Sequence, residues 1–470
     1  MLIDSHTHLQ DKKFARDLDR VLDRADDAGI EHLVCIGDRI ETSRRALALA
    51  RSHPRITAVV GIHPHYESQY TPKQLLELQA LAGDDRVVAI GEIGLDYHYP
   101  NFNSERQKEM FVAQARLAGR RNLPLVMHCR DAYPDLLDLI ESDDRIPRRG
   151  IIHCFSGTYE EACRFLDLGF NLGIGGAITY PNGTNLRRTI ERVGLDRIVC
   201  ETDAPYLPAQ LKRGRRNEPS YIKHTVKALA DLAGVSYQDA ARITRANAIR
   251  VFGLPQEIAP EIVYSIRRTL YVSVTNRCTN RCYHCQRCSD YMVMGHLLKL
   301  DHEPEVNELL AAIGSPSEYD EIVVSGLGEP TIRWDVCLGL ARELKHRGAR
   351  VRLNTNGLGN LINKRNIVPE MAGNFDSVAI GLTAHNRETY NAITNTTLPD
   401  KAFDAMLEFA EACRAVVPDV IMTVVGVPEV DIEACRQIAE DRLKVRFRVR
   451  EYRPHGYPME GCEASCAGSN

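Results

Sequence analysis

No run of apolar residues in this chain is long enough to span a bilayer. The opening Met1-Leu2-Ile3-Asp4-Ser5-His6 lacks the charged and apolar stretches of a secretory signal. No strong excess of one charge is present either. A formal net charge of -4 excludes a broadly basic surface that coats nucleic acid, and leaves room for a local basic patch. Without a secretion signal, the fourteen cysteines read as reduced thiols and metal ligands, not as a disulfide framework. The expected setting is the cytoplasm, with no membrane partner.

What is present is ordinary in bulk: 44% apolar and 26% charged residues. At 470 residues the chain exceeds one common core, so two domains are expected. The oligomeric state is not legible.

Residues 1–255 show a strand–helix rhythm. After Leu2-Ile3, apolar runs recur at 33–36, 57–61, 87–90, 124–127, 150–152, 170–174 and 197–200. Helix-period stretches such as 106–121 and 159–168 lie between them. Eight such units in about 250 residues predict a (β/α)8 barrel of the TIM type. Gly253-Leu254-Pro255 closes it, and a linker is expected at 254–262. A second α/β rhythm fills 263–455, with strands expected near 270–274, 321–324, 351–353, 377–382, 420–425 and 445–450. Helical stretches at 306–313 and 336–347 separate them. Six units predict a partial (β/α)6 barrel, open on one side. Residues 456–470 read as a flexible, cysteine-containing tail.

His6-x-His8, Glu92, His128, His153 and Asp203 each fall just after a strand candidate. In a parallel barrel those strand ends converge. A lone His-x-His is equally a pair of core or surface histidines. Six ligand-type residues at strand ends are a metal constellation of oxygen and imidazole donors. Cys129, Cys154 and Cys200 adjoin these positions, but strand alternation points them away, toward the core. His63 and His65 either contact phosphate or are plain loop histidines. Lys212, Arg213, Arg215 and Arg216 lie just past Asp203, as a phosphate grip or a solvated loop.

Those motifs resemble the TatD family of metal-dependent nucleases, within the wider amidohydrolase-like barrels. They are Asp4-Ser5-His6-Thr7-His8-Leu9, Gly61-Ile62-His63-Pro64-His65, Gly91-Glu92-Ile93-Gly94-Leu95-Asp96-Tyr97, His128-Cys129-Arg130-Asp131-Ala132, His153-Cys154-Phe155-Ser156-Gly157 and Glu201-Thr202-Asp203-Ala204-Pro205-Tyr206. The resemblance implies two divalent ions (Zn, Mn or Mg). His6, His8, Glu92 and Asp203 would hold one, and Glu92, His128 and His153 the other. Glu92 would bridge, and Asp203 would orient or deprotonate the attacking water. The implied substrate is a phosphodiester in DNA or RNA. A carboxylic ester or amide, such as aminoacyl-tRNA, is the alternative. Lys212 stands where the family usually has His.

Cys278, Cys282 and Cys285 form C-x3-C-x2-C after a strand candidate. With Cys288 they could instead bind zinc. The spacing resembles the radical S-adenosylmethionine (SAM) family and covers residues 263–455. The resemblance implies a [4Fe-4S] cluster whose open iron takes SAM, giving a 5′-deoxyadenosyl radical. It also implies a reductant such as flavodoxin or ferredoxin, and low-oxygen conditions. Ser325-Gly326-Leu327-Gly328-Glu329-Pro330 resembles the glycine–glutamate segment that holds the methionyl amine. Leu327 interrupts its usual glycine pair. Asn354 and Asn356 are expected at ribose or carboxylate, and His284 near adenine. Cys462 and Cys466 either ligate a second cluster or are thiols of the tail. Cys337, Cys413 and Cys435 read as core. The whole resembles a TatD-type hydrolase fused to the radical SAM protein of the TatD-associated type. The resemblance implies a bifunctional enzyme, or one nucleic-acid modification pathway whose halves act in turn. The radical substrate is not legible.

Overall fold

The structure is a computed structural model in which residues 1–452 are described. The chain divides into two compact units, Met1–Glu257 and the part from Ile258 onward.

The first unit is an eight-stranded parallel barrel. Its strands are β1 (Leu2–Thr7), β2 (Ile30–Ile36), β3 (Ile56–Val60), β4 (Val87–Asp96), β5 (Leu125–Arg130), β6 (Gly150–Ile152), β7 (Phe170–Ile174) and β8 (Ile198–Cys200). They pair in sequence order. The seam between β8 and β1 is closed just past the strand ends. Asp203 N donates to His6 O at 2.9 Å and His8 N donates to Ala204 O at 2.7 Å. Both faces of every strand are covered, so runs such as Ile-Thr-Ala-Val-Val in β3 are wholly buried. The expected (β/α)8 architecture is what the chain forms.

Helices α1 (Leu18–Asp27), α2 (Ile40–Ser52), α3 (Pro72–Leu81), α4 (Ser104–Arg121), α5 (Tyr133–Ser142), α6 (Tyr159–Asp167), α7 (Thr184–Val193), α8 (Ile222–Ala233) and α9 (Tyr237–Phe252) surround the barrel. Helix α4 starts where Asn103 accepts from Arg106 N. Helix α6 starts with a reciprocal Thr158–Glu161 capping box. Such caps contribute about 1 kcal/mol each. Helix α9 stops at Gly253, whose φ of 61° suits glycine.

The second unit contains β9 (Val263–Ile266), β10 (Thr269–Ser273), the short hairpin β11 (Met292–Val293) and β12 (His296–Leu297), β13 (Glu321–Ser325), β14 (Val351–Thr355), β15 (Ser377–Gly381), β16 (Asp419–Val425) and β17 (Arg446–Arg450). One sheet runs in the order β17-β16-β15-β14-β13-β10-β9. The six strands from β10 to β17 in that sheet are parallel, as expected of the partial barrel. Strand β9 adds an antiparallel edge that the sequence reading did not anticipate. Its turn runs through Arg267 and Arg268, with Arg267 at a φ of 54°. No glycine or asparagine announces it.

Helices α10 (Val306–Ile313), α11 (Trp334–His346), α12 (Gly359–Asn363), α13 (Arg387–Thr394), α14 (Ala402–Arg414) and α15 (Ile432–Arg436) complete the unit. Val351, Leu353, Val378, Ile380, Val420 and Met422 pack against helix residues such as Trp334, Leu340 and Phe409. By alternation, Ser325, Asn354 and Gly381 face the other side of the sheet. Among the described residues no helix is long and apolar enough to cross a membrane. The tail cysteines Cys462 and Cys466 lie outside the described residues.

Candidate functional sites

In the first unit the carboxyl ends of the strands bring the singled-out residues together. Glu92 stands at the centre. Its Oε2 lies 3.5 Å from His6 Nε2 and 3.8 Å from His8 Nε2. Its Oε1 lies 3.1 Å from His128 Nδ1 and 3.5 Å from His63 Nε2. Asp203 Oδ1 lies 3.2 Å from His8 Nε2 and 3.9 Å from His153 Nε2. His153 is stacked on His6 with ring centroids 3.4 Å apart, so it sits on the His6 side. Three groups have all ligand atoms within 4.8 Å of one another: His6, His8 and Asp203; His63, Glu92 and His128; and His6, His153 and Glu201. The second of these gathers His63, not His153, beside Glu92 and His128.

Close backbone approach makes this possible. A Cβ on Gly94 of β4 would lie 1.9 Å from the carbonyl oxygen of His128 on β5. Any larger residue there would push His128 away from Glu92.

The electrostatics suit divalent cations. Burial works against ionising Glu92, but His63, His128 and His6 outweigh it and hold the carboxyl well below its usual range. Asp203 is likewise held low, by His8 and His153 against burial. Burial and neighbouring imidazoles lower His6 and His63, favouring the neutral form with a free lone pair. Burial opposes charge on His8, yet the bond and charge of Asp203 lift it to about 9. Two anionic carboxylates among buried imidazoles, some neutral, fit a divalent metal centre.

Several supporting residues escaped the sequence reading. Asp96 Oδ2 lies 2.9 Å from His128 Nε2 and 2.8 Å from His65 Nε2. Glu201 Oε1 lies 3.0 Å from His153 Nδ1. Ile36 O lies 2.9 Å from His8 Nδ1. Such partners orient a ligand ring and fix its tautomer. Asp4 accepts from Thr202 N and Thr202 Oγ1, tying β1 to the segment that carries Asp203. Asp96, Glu201 and Asp4 all stand inside the quoted motifs, which was their only sequence signal.

Cys129 and Cys200 are buried, as alternation predicts. Cys154 departs from that expectation. Its φ of 48° turns the chain out of the strand. Its backbone N–H donates to Glu201 Oε1 at 2.6 Å, beside the site, and burial first, then the charges of Glu201, Asp203 and Glu92, hold its thiol well above the usual range.

The basic loop divides. Arg216 donates to Asp17 through two bonds of 2.7 Å and to Glu218 at 3.0 Å, and it stacks over Phe14. Its guanidinium is committed within the fold. Arg213 lies 4.5 Å from the centroid of the Tyr180 ring, and Lys212 lies 5.0 Å from that of Tyr221. Arg215 is exposed.

In the second unit Cys278, Cys282 and Cys285 share the loop after β10. All three are partly buried, and Cys288 is exposed. Burial, then the charge of Glu329, pushes the Cys278 thiol up to about 11. Burial, then Cys285 and Cys278, pushes Cys282 up to about 12. Three partly buried thiols on one loop, each held above the usual thiol range, ionise only with cationic help, which fits an iron–sulfur group. The loop is anchored where Asn356 Nδ2 donates to Thr279 Oγ1 at 3.0 Å and Arg281 N donates to Thr394 O at 2.6 Å.

Glu329 is 2% exposed. It accepts from Thr331 N, Thr331 Oγ1, Thr355 Oγ1 and Asn356 N. Both oxygens are thus engaged by the chain itself, and the carboxylate ties the loop after β13 to the end of β14. Gly328 permits that packing: a Cβ there would lie 2.2 Å from Thr275 O. Gly326 has a φ of 124° and passes beside Ser273. Asn354 Oδ1 and His284 Nδ1 are buried without a partner among the described residues. Burial, then Arg450, lowers the His284 pKa to about 4.

Comparison with known proteins agrees with both halves. Residues 3–253 match the family described as TatD related DNase, and residues 272–441 match the Radical SAM superfamily. The chain is 36% identical over 252 residues to the uncharacterized metal-dependent hydrolase YabD of Bacillus subtilis, covering 54% of this chain and 99% of that protein. It is 36% identical over 257 residues to the 3′-5′ ssDNA/RNA exonuclease TatD of Salmonella typhimurium, covering 53% and 98%. The crystal structure of YjjV, a TatD homologue from Escherichia coli, aligns with a TM-score of 0.52 at 32% identity, covering 54% and 98%. The chain therefore belongs to the TatD related DNase family and is a fusion, its metal-dependent hydrolase barrel followed by a radical SAM domain.

Proposed function

We propose that the barrel hydrolyses phosphodiester bonds in DNA or RNA at a two-metal centre, and that the second unit generates a 5′-deoxyadenosyl radical from SAM. The observation that carries the first reading is the split of Glu92, one oxygen toward His6 and His8 and the other toward His128 and His63. His6, His8 and Asp203 would hold one ion with Glu92. Glu92, His128 and His63 would hold the other, while His153 lies on the His6 side. When bound, the ions activate water and stabilise charge on the phosphoryl oxygens. Asp203, ionised and bonded to His8, orients the attacking water and accepts its proton. Arg213 and Arg215 approach the substrate's phosphates, while Arg216 anchors their loop. The Salmonella relative, an exonuclease on single-stranded DNA and RNA, supports the substrate class.

In the second unit Cys278, Cys282 and Cys285 would hold a [4Fe-4S] cluster, which would supply the electron for SAM cleavage when charged by a flavodoxin- or ferredoxin-type partner. Glu329 positions Asn356 by its bond to the Asn356 backbone. Asn354 and His284 offer polar atoms to the nucleoside. Reduced thiols suit a cytoplasmic setting, and the twelve described cysteines form no disulfide.

Anaerobic purification with metal and sulfide analysis tests both halves at once. Two divalent ions with phosphodiesterase activity, and four irons with SAM cleavage, are expected. Zinc at the cysteine loop, or a barrel inert toward every phosphodiester with both ions bound, overturns the corresponding half.

A further inference from the structure

Among the described residues of the barrel, the exposed tyrosine side chains are Tyr99 and Tyr206, and both lie beside the metal pocket. Tyr99 is 51% exposed and Tyr206 is 42% exposed. Tyr99 follows β4 and Tyr206 follows β8, both on the face that carries the site. A ring held at the mouth of a pocket offers an apolar face to whatever enters it.

Each ring has the same two neighbours, a histidine of the cage and a cation. Tyr99 stands 5.2 Å from His65, with the Arg130 guanidinium 5.4 Å from its ring centroid. Tyr206 stands 5.8 Å from His8, with Lys13 Nζ 4.4 Å from its ring centroid. His65 belongs to the Asp96–His128 side of Glu92 and His8 to the Asp203 side. The two ring-and-cation pairs therefore flank the pocket from opposite edges. The Tyr206 hydroxyl donates to Asp11 at 2.9 Å, which holds its ring in place.

We propose that Tyr99 with Arg130 and Tyr206 with Lys13 are two clamps for a single-stranded nucleic acid. Each ring stacks one base beside the scissile phosphate, and each cation meets an adjoining phosphate. The proposal rests on the phosphodiesterase reading. Stacking on two separated rings needs splayed bases, which a single strand supplies and a duplex does not. Every base has a π-face, so the clamps select strandedness and not sequence.

The test uses the full-length, manganese-loaded protein with decathymidylate and bis(p-nitrophenyl) phosphate as probes. Tyr99→Leu and Tyr206→Leu should each raise KM for decathymidylate roughly tenfold, and lower its kcat/KM relative to the small diester. Tyr99→Phe and Tyr206→Phe should restore KM to within about twofold, because the ring alone stacks. Annealing the probe to a complementary strand should remove the difference between the Leu and Phe variants. Equal KM for Leu and Phe variants would overturn the clamps, since a packing role does not require an aromatic face. A wild type that cleaves the small diester but not decathymidylate also overturns the clamps alone. A wild type that cleaves neither overturns the phosphodiesterase reading beneath them.

Discussion

Glu201 Oε1 lies 3.0 Å from His153 Nδ1. The same oxygen accepts from Cys154 N at 2.6 Å, so one carboxylate lies against both a ring and the backbone that carries it. Burial opposes charge on His153, but Glu201 overcomes it and lifts the ring to about 10. Replacing Glu201 with Gln keeps the shape and removes the charge. Metal affinity or activity should fall about 10- to 100-fold, as for other residues that orient a ligand ring. Metal titration followed by calorimetry reads this directly, and an unchanged affinity would show that His153 needs no such support.

Glu92 should be indispensable because its two oxygens face two histidine sets. Glu92→Ala is expected to lose phosphodiesterase activity by orders of magnitude and to retain at most one tightly bound ion. Circular dichroism should show the barrel intact. Near wild-type turnover in a metal-replete variant would sink the shared-carboxylate reading.

The arginines of the basic loop should separate by role. Arg213→Ala with Arg215→Ala should raise KM for an oligonucleotide and flatten its salt dependence. Arg216→Ala should instead lower Tm, because Asp17 and Glu218 lose a shared, partly buried partner. If Arg216→Ala left Tm unchanged while altering the salt slope, the division would be reversed.

Replacing Cys278, Cys282 or Cys285 with Ala should abolish both cluster absorbance and 5′-deoxyadenosine formation. Cys288→Ala should leave both, since Cys288 is the exposed thiol of the four. Loss of the cluster in Cys288→Ala would favour a four-cysteine site.

His32 gives a pH dependence away from either site. Gln256 Nε2 lies 2.8 Å from His32 Nδ1, and Thr57 Oγ1 lies 3.1 Å from His32 Nε2. The amide donates to Nδ1, which fixes a neutral ring. Burial, then Arg86 and Arg55, lowers its pKa to about 4. The unfolded chain binds this proton near pH 6.5, so stability is full above that value and declines as pH falls toward 4. The total loss is about 3 kcal/mol. The excess in urea midpoint of wild type over His32→Gln should shrink between pH 7 and pH 5. A constant difference would contradict the depressed pKa.

The strand runs, their order and the placement of the metal-type residues at strand ends were legible in the sequence. These are local properties: a run of apolar residues makes a buried parallel strand, and the motif at its end carries the ligand-type side chains. The hairpin through Arg267 and Arg268 was not legible, because its turn lacks a glycine or asparagine signal. Cys154 is only half-buried, unlike Cys129 and Cys200, because alternation holds only while the strand continues, and a φ of 48° ends it. The binding of Arg216 to Asp17 joins residues 199 positions apart. The bond between Thr202 N and Asp4 joins residues 198 positions apart. The sequence could supply the charges of such pairs but not their meeting. Only closure of the barrel, which brings the last strand back to the first, decides which cation is consumed within the fold and which is left exposed.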